Sequence, residues 1–186
     1  MTDTQRPAAG TQALTLVEPT VTLRDAFLDM AEDYRLHGGG DIDGAFELFP
    51  HDFPGYIRQL LGNSYIRDSR GARVPATTYW LFRPGDGMLL GVSRLRHHLT
   101  PALKHEGGHI GYSIRPSERR KGHGKRILEL TLEKARDFGI HEVLVTCDTA
   151  NTGSARIIQT NGGVFENEVI SERTRNPVSR YWITLS

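Results

Sequence analysis

Along the first third of the chain the apolar residues recur mostly at helical spacing. Ala13 to Val21 is the exception: it alternates and predicts a first strand, which Pro19 ends or bends. Thr22-Leu-Arg-Asp25 is a helix start, with Thr22 as N-cap and an acid in the first turn. Phe27, Met30, Ala31 and Tyr34 then share one helical face. Gly38-Gly39-Gly40 stops that helix. Asp41 to Phe53, with Pro50 inside and Pro54 just beyond, predicts a loop with a short helical turn, and Ile57, Leu60 and Leu61 predict a second helix ending near Gly62.

The period changes at Ala76. Thr77–Phe82 is rich in strand formers, Pro84-Gly-Asp-Gly87 is a turn cluster, and Met88–Arg96 is again strand-like, so a hairpin is expected. Gly108–Ile114 follows as the fourth strand, with Ile110, Tyr112 and Ile114 on one face. Lys125–Phe138 turns helical, with Leu128, Leu132 and Ala135 on one stripe and Gly139 as C-cap. Val143–Cys147 is a short apolar strand suited to burial on both faces. Ser154–Thr160 predicts a short helix, and Val164–Ile170 and Arg180–Leu185 two last strands. The order β-α-α-β-β-β-α-β-α-β-β describes one α/β (α+β) domain over residues 13–186. Residues 1–12 carry neither a basic nor an apolar signal segment and are read as a disordered lead-in.

Totals narrow the function. A net charge of +1 gives no global field for nucleic acid or membrane. No apolar run reaches the ~20 residues of a spanning helix. Cys147 is the only cysteine, so no disulfide forms within the chain, and a cytoplasmic setting is expected.

Charge is concentrated in one place. Between Ile114 and Arg126, six basic side chains (Arg115, Arg119, Arg120, Lys121, Lys125, Arg126) face one acid, Glu118, where a strand leads into the amphipathic helix. Gly122 and Gly124 stand at the mouth of that helix. A helix start offers unpaired N–H groups and about half a positive charge, and glycines let a phosphate approach the backbone. A P-loop needs glycine five residues before Gly124-Lys125, where Arg119 stands, and Ser or Thr after it, where Arg126 stands. A Rossmann turn needs three glycines, and only two are present.

Arg119-x-x-Gly122-x-Gly124 resembles the signature of the GNAT N-acetyltransferase family. Asn151-Thr-Gly-Ser-Ala, with Gly162-Gly163 some ten residues on, is similar to the family's Asn-x-x-Ala/Ser segment. The element order resembles that fold across nearly the whole chain, and more narrowly an uncharacterised bacterial branch of predicted acetyltransferases. The resemblance implies a twisted, mixed but mostly antiparallel sheet of about seven strands with about four helices, splayed between the fourth and fifth strands. It implies acetyl-CoA as cosubstrate: the backbone of Tyr112, Ser113 and Ile114 along the pantetheine, the stretch Arg119, Arg120, Lys121, Gly122, His123, Gly124 and Lys125 on the pyrophosphate, and Asn151 near the arm. It implies transfer to an amine of a small molecule or peptide, directly rather than through a covalent enzyme intermediate. A homodimer is a further expectation.

One position departs from the family. The tyrosine that protonates the leaving thiolate in many members is Ile158 here, leaving Ser154, Tyr112 and Tyr181 as hydroxyl donors. Glu106 and His109 are the candidate bases. The missing tyrosine also leaves open a non-catalytic acyl-CoA sensor. His97, His98, His105 and His109 lack the partners of a metal site, and Gly107-Gly108 argues against a helix bearing the last two, so no metal is expected. Arg94, Arg96 and His98 alternate on one strand and either face solvent or line a pocket for an acidic acceptor.

Overall fold

The longest pairing is the expected hairpin, β3 (Arg73–Arg83) against β4 (Met88–Arg96), with Trp80 opposite Val92 and a bulge between Leu81 and Phe82. The structure, a computed structural model, describes residues 13–38, 52–62, 65–68 and 70–185. The lead-in at 1–12 and nearly all of the loop expected over 41–53 lie outside the described residues.

β1 (Thr15–Val17) pairs with the far half of β3 and β2 (Tyr65–Arg67) with its near half. β5 (Ile110–Ile114) pairs with β4, completing one antiparallel sheet of five strands. β6 (Glu142–Asp148), β8 (Pro177–Thr184) and β7 (Val164–Ile170) form a second, three-stranded antiparallel sheet in that order. The division falls between the fourth and fifth expected strands, β5 and β6.

Helices α1 (Arg24–His37) and α2 (Phe53–Gly62) cover one face of the first sheet. Their anchor is aromatic: Phe27 stacks on Trp80 with centroids 5.0 Å apart, and both are fully buried. Helix α4 (His123–Asp137) places Leu128, Leu132 and Ala135, the predicted stripe, against Val143 and Val145 of β6 and Ile183 of β8. Leu95 and Ile110 join the same cluster, so one helix packs against both sheets. Helix α5 (Thr152–Thr160) adds Ile158, which is fully buried. Truncating one such leucine to alanine costs about 2–5 kcal/mol.

Eight strands and five helices are seen among the described residues, against about seven and four expected. The extra helix, α3 (Pro101–His105), is too short to show a period; Thr100 caps it, accepting from Leu103 N–H, and Pro101 opens it. The extra strand β2 is three residues long. Thr20, rather than Thr22, is the cap, because a 3₁₀ turn over Val21–Leu23 precedes α1. Among the described residues no helix is long and apolar enough to cross a membrane.

Candidate active site

Beyond their base, β5 and β6 share no sheet ladder. In an antiparallel pair, successive residues turn their N–H and C=O groups to opposite sides. Arg96 N–H bonds His109 O and Arg115 N–H bonds Leu90 O, so the odd residues 109–115 address β4. Ile110, Tyr112 and Ile114 therefore turn their main-chain groups into the gap. On the other side Thr149 N–H bonds Pro177 O and Leu185 N–H bonds His141 O, so Leu144 and Thr146 face the gap too. Among the described residues the arms are joined at the base: His109 N–H bonds Leu144 O at 2.7 Å, and Leu144 N–H bonds His109 Nδ1 at 2.9 Å.

The gap opens into two cavities. The outer one, about 420 Å³, is lined by Ser113, Ile114, Arg119, Arg120, Gly124 and Ile157 among others. The inner one, about 600 Å³, includes Arg96, Glu106, Cys147, Asp148 and Arg173 in its wall. Tyr112, Asn151 and Ser154 line both, so the two cavities meet at these three residues.

The outer cavity ends on the mouth of α4. Gly122 precedes the helix with φ +87°, and Arg120 has φ +63°, both in the left-handed region. No protein acceptor engages the N–H groups of residues 120–125 among the described residues, and Gly122 has no side-chain cap. A row of unpaired donors beside Arg119 and Arg120 has the chemistry to hold an anion. Arg119 also donates from Nε to the outward Ile114 carbonyl at 3.0 Å, fixing the end of β5. Lys121, Gly122 and His123 line a separate cavity with Arg83, and Lys121 and His123 pair with buried Glu118 at 2.9 and 3.2 Å. Lys125 is exposed and lines none of these cavities.

Gly124 answers to packing, because a Cβ there would meet Ile157 Cδ1 at 2.6 Å. It lets α4 and α5 touch. Arg115, counted in the basic cluster, is buried and bonds Asp33 and Asp29 of α1 at 3.0 and 2.8 Å. Burial pushes the Asp33 carboxyl up, but hydrogen bonds from Ser117 N–H and Oγ and from Arg115 outweigh it and hold the pKa at about 2. This knot ties α1 to the loop ahead of α4.

Where the cavities meet, Tyr112 Oη and Ser154 Oγ lie 3.0 Å apart. Burial pushes the Tyr112 phenol up to about 12, so it stays protonated. Asn151 caps α5, accepting from Ser154 N–H at 3.0 Å, and so orients Ser154. Burial also pushes the Cys147 thiol up, although a hydrogen bond with Ser154 opposes this. Glu106 is half-buried in the inner cavity wall. His109 is buried and stands outside both linings.

The chain matches the model of the acetyltransferase (GNAT) domain over residues 41–164. It belongs to the GNAT family. No curated protein sequence matches it. Among solved structures it is similar to RimL, a ribosomal-protein α-N-acetyltransferase in complex with coenzyme A, at 17% identity and TM-score 0.64, covering 96% of this chain and 97% of that one. A GNAT acetyltransferase from Bacillus anthracis is 16% identical with TM-score 0.61, covering 92% and 94%. A spermidine N-acetyltransferase chimera from Vibrio cholerae is 16% identical with TM-score 0.62, covering 94% and 96%. At these identities the likeness concerns the fold.

On this GNAT frame the structure gathers Tyr112, Ser113, Ile114, Arg119, Arg120, Gly124, Asn151 and Ser154 around one cleft, with Glu106 farther in. The position expected to hold tyrosine, Ile158, is core. Of the alternating trio, Arg96 reaches the inner cavity and donates to the Gly107 and Gly108 carbonyls, whereas Arg94 contacts Thr78 and His98 is exposed outside it. Asp68, Asp148 and Arg173 of the inner wall were not foreseen. They come from the end of β2, the last residue of β6 and the turn between β7 and β8, which no local pattern links. Among the described residues no group of three or more His, Cys, Asp or Glu side chains is placed to hold a metal ion.

Proposed function

We propose that this GNAT protein transfers an acetyl group from acetyl-CoA to an amine, directly, in the cleft between β5 and β6. The observation that carries the reading is the continuity of the free amides at the mouth of α4 with the outward main-chain edge of β5. An anionic linkage bound at the first lays an amide-bearing arm along the second. Arg119, Arg120 and the N–H groups of residues 120–124 take the pyrophosphate, and the edge at Tyr112 and Ile114 bonds the pantetheine as an added strand would.

The thioester then lies beside Tyr112 and Ser154. Tyr112 N–H, aimed into the gap, bonds the carbonyl and holds the oxyanion; such a donor contributes about 3 kcal/mol to lowering the barrier. The acceptor enters by the inner cavity. Its nitrogen bonds the acetyl carbon, the C–S bond breaks, and the nitrogen's proton passes to Glu106. The departing thiolate accepts a hydrogen bond from Ser154, whose hydroxyl is backed by Tyr112, and leaves as CoA thiol by taking up, through solvent, the proton that Glu106 received. The raised pKa of Cys147 supports direct transfer, because its thiol is a weak nucleophile at neutral pH. The acceptor is a small-molecule or peptide amine.

Thiol release from acetyl-CoA, followed with a panel of small amines and peptides, tests the reading. Turnover that depends on both acetyl-CoA and amine is expected. Tight CoA binding with no turnover on any amine would instead make the cleft a non-catalytic acyl-CoA sensor.

A further inference from the structure

The turn from Glu106 to His109 is bound down more heavily than a loop at a sheet edge requires. Arg96 Nη1 donates to the Gly107 and Gly108 carbonyls at 3.0 and 2.9 Å. Gly107 N–H donates to Thr146 Oγ1 at 3.1 Å. Gly108, at φ +61°, lies so close to β6 that a Cβ would stand 2.4 Å from Leu144 O. At the end of this turn His109 points its own N–H at β6 but gives its carbonyl to Arg96 on β4. That leaves the Leu144 N–H, buried at the apex, without a main-chain acceptor from β5. The imidazole supplies one, through Nδ1 at 2.9 Å.

We infer that His109 is a positioning residue that fixes the apex of the cofactor cleft. Its ring replaces the main-chain acceptor that β5 withholds, so the two sheets are joined at Leu144 and part beyond it. The consequence for the cleft rests on the acetyl-CoA reading above. The chemistry is specific: to accept at Nδ1 the ring is neutral with its proton on Nε2. Burial first, then the positive charges of Arg96 and Lys104, lower its pKa to about 4 and keep it so. Two jobs follow from one ring. The pin sets where Ile110, Tyr112 and Ile114 begin to face an open gap, and the turn it anchors carries Glu106 to the inner wall.

Two measurements test this and separate it from a general-base role. In nitrogen-15 NMR of the full chain without cofactor, His109 is expected as the Nε2–H tautomer and unprotonated from pH 7 to about pH 5. An Nδ1–H tautomer, or titration near the ordinary value of 6.5, would overturn the proposal whether or not CoA binds. The second compares His109→Asn, which keeps a side-chain acceptor near the same place, with His109→Leu, which keeps bulk alone. His109→Leu is expected to raise the KM and Kd for acetyl-CoA about tenfold, since the unpaired Leu144 N–H frees the apex of the cleft to shift away from its binding geometry. Its kcat should fall less, and His109→Asn should restore affinity and keep the wild-type pH profile. Unchanged affinity in a folded His109→Leu, or a lost acidic limb of kcat in His109→Asn with KM intact, would overturn it. Should His109→Leu fail to fold, the tautomer and the His109→Asn profile still decide. Absence of CoA binding by the wild type would count against the proposed function and leave the tautomer result standing.

Discussion

The phenol of Tyr112 and the hydroxyl of Ser154 lie 3.0 Å apart where the outer and inner halves of the cleft meet. One comes from the strand whose edge is proposed to bind the cofactor arm, the other from the first turn of α5. In the proposed mechanism they stand in for the tyrosine expected at Ile158. Ser154→Ala is expected to lower kcat about 10²-fold, within the range for a positioned proton donor, with little change in the KM for acetyl-CoA. Tyr112→Phe, which removes only the supporting hydroxyl, should lower it less. Steady-state thiol release gives both numbers; a Ser154→Ala enzyme at full kcat would remove the hydroxyl from the mechanism.

Arg119 combines a charge at the mouth of α4 with a bond to the Ile114 carbonyl. Arg119→Ala should weaken CoA binding about tenfold to a hundredfold, since a hydrogen bond from a charged group contributes about 1.5–3 kcal/mol. Titration calorimetry reads the change directly, and the loss should shrink at high salt.

Gly124 makes a different prediction from its place in the motif. Gly124→Ala drives a methyl toward Ile157 Cδ1, the movable end of a half-buried side chain, so the cost should be about 1 kcal/mol, the low end for overpacking. The melting temperature should fall by about 2–4 °C per kcal/mol in a domain of this size. Ile157→Val in the same chain, which removes only the clashing Cδ1 methyl, should recover most of that loss. Failure of the second change to recover stability would show that helix packing is not what requires glycine there.

The Asp33–Arg115 knot gives a pH signature. The folded pKa of Asp33, about 2, lies below its ordinary 3.8, so its contribution is complete above the ordinary value and is lost as pH falls toward 2. Asp33→Ala should cost about 1–3 kcal/mol at pH 7, because it removes one of the two carboxylate partners of buried Arg115 and leaves Asp29 as the other. Denaturant melts at pH 7 and near pH 2 check the sign: the gap between variant and wild type should narrow in acid.

Much of the frame was legible in the chain because it rests on short-range pattern. The Leu128–Leu132–Ala135 stripe, the hairpin through Pro84–Gly87 and the basic segment around Gly122 each lie within one window. The division of the sheet between β5 and β6 was expected only from family resemblance. Its physical origin at His109 is not visible locally, since Leu144 is far away in sequence and the acceptor is a side chain. The inner wall was hidden for the same reason: Asp68, Asp148 and Arg173 are neighbours only once two sheets are packed. Short elements also escaped, because a helix the length of α3 has no period to detect and is defined by its cap, Thr100-Pro101.

A structure of the chain with acetyl-CoA bound would show where the cofactor lies. The pyrophosphate oxygens are expected on the main-chain amides of residues 120–124, the pantetheine paired with the edge at Tyr112 and Ile114, and the thioester sulfur beside Ser154. A cofactor lodged elsewhere, with those amides untouched, would contradict the proposed function.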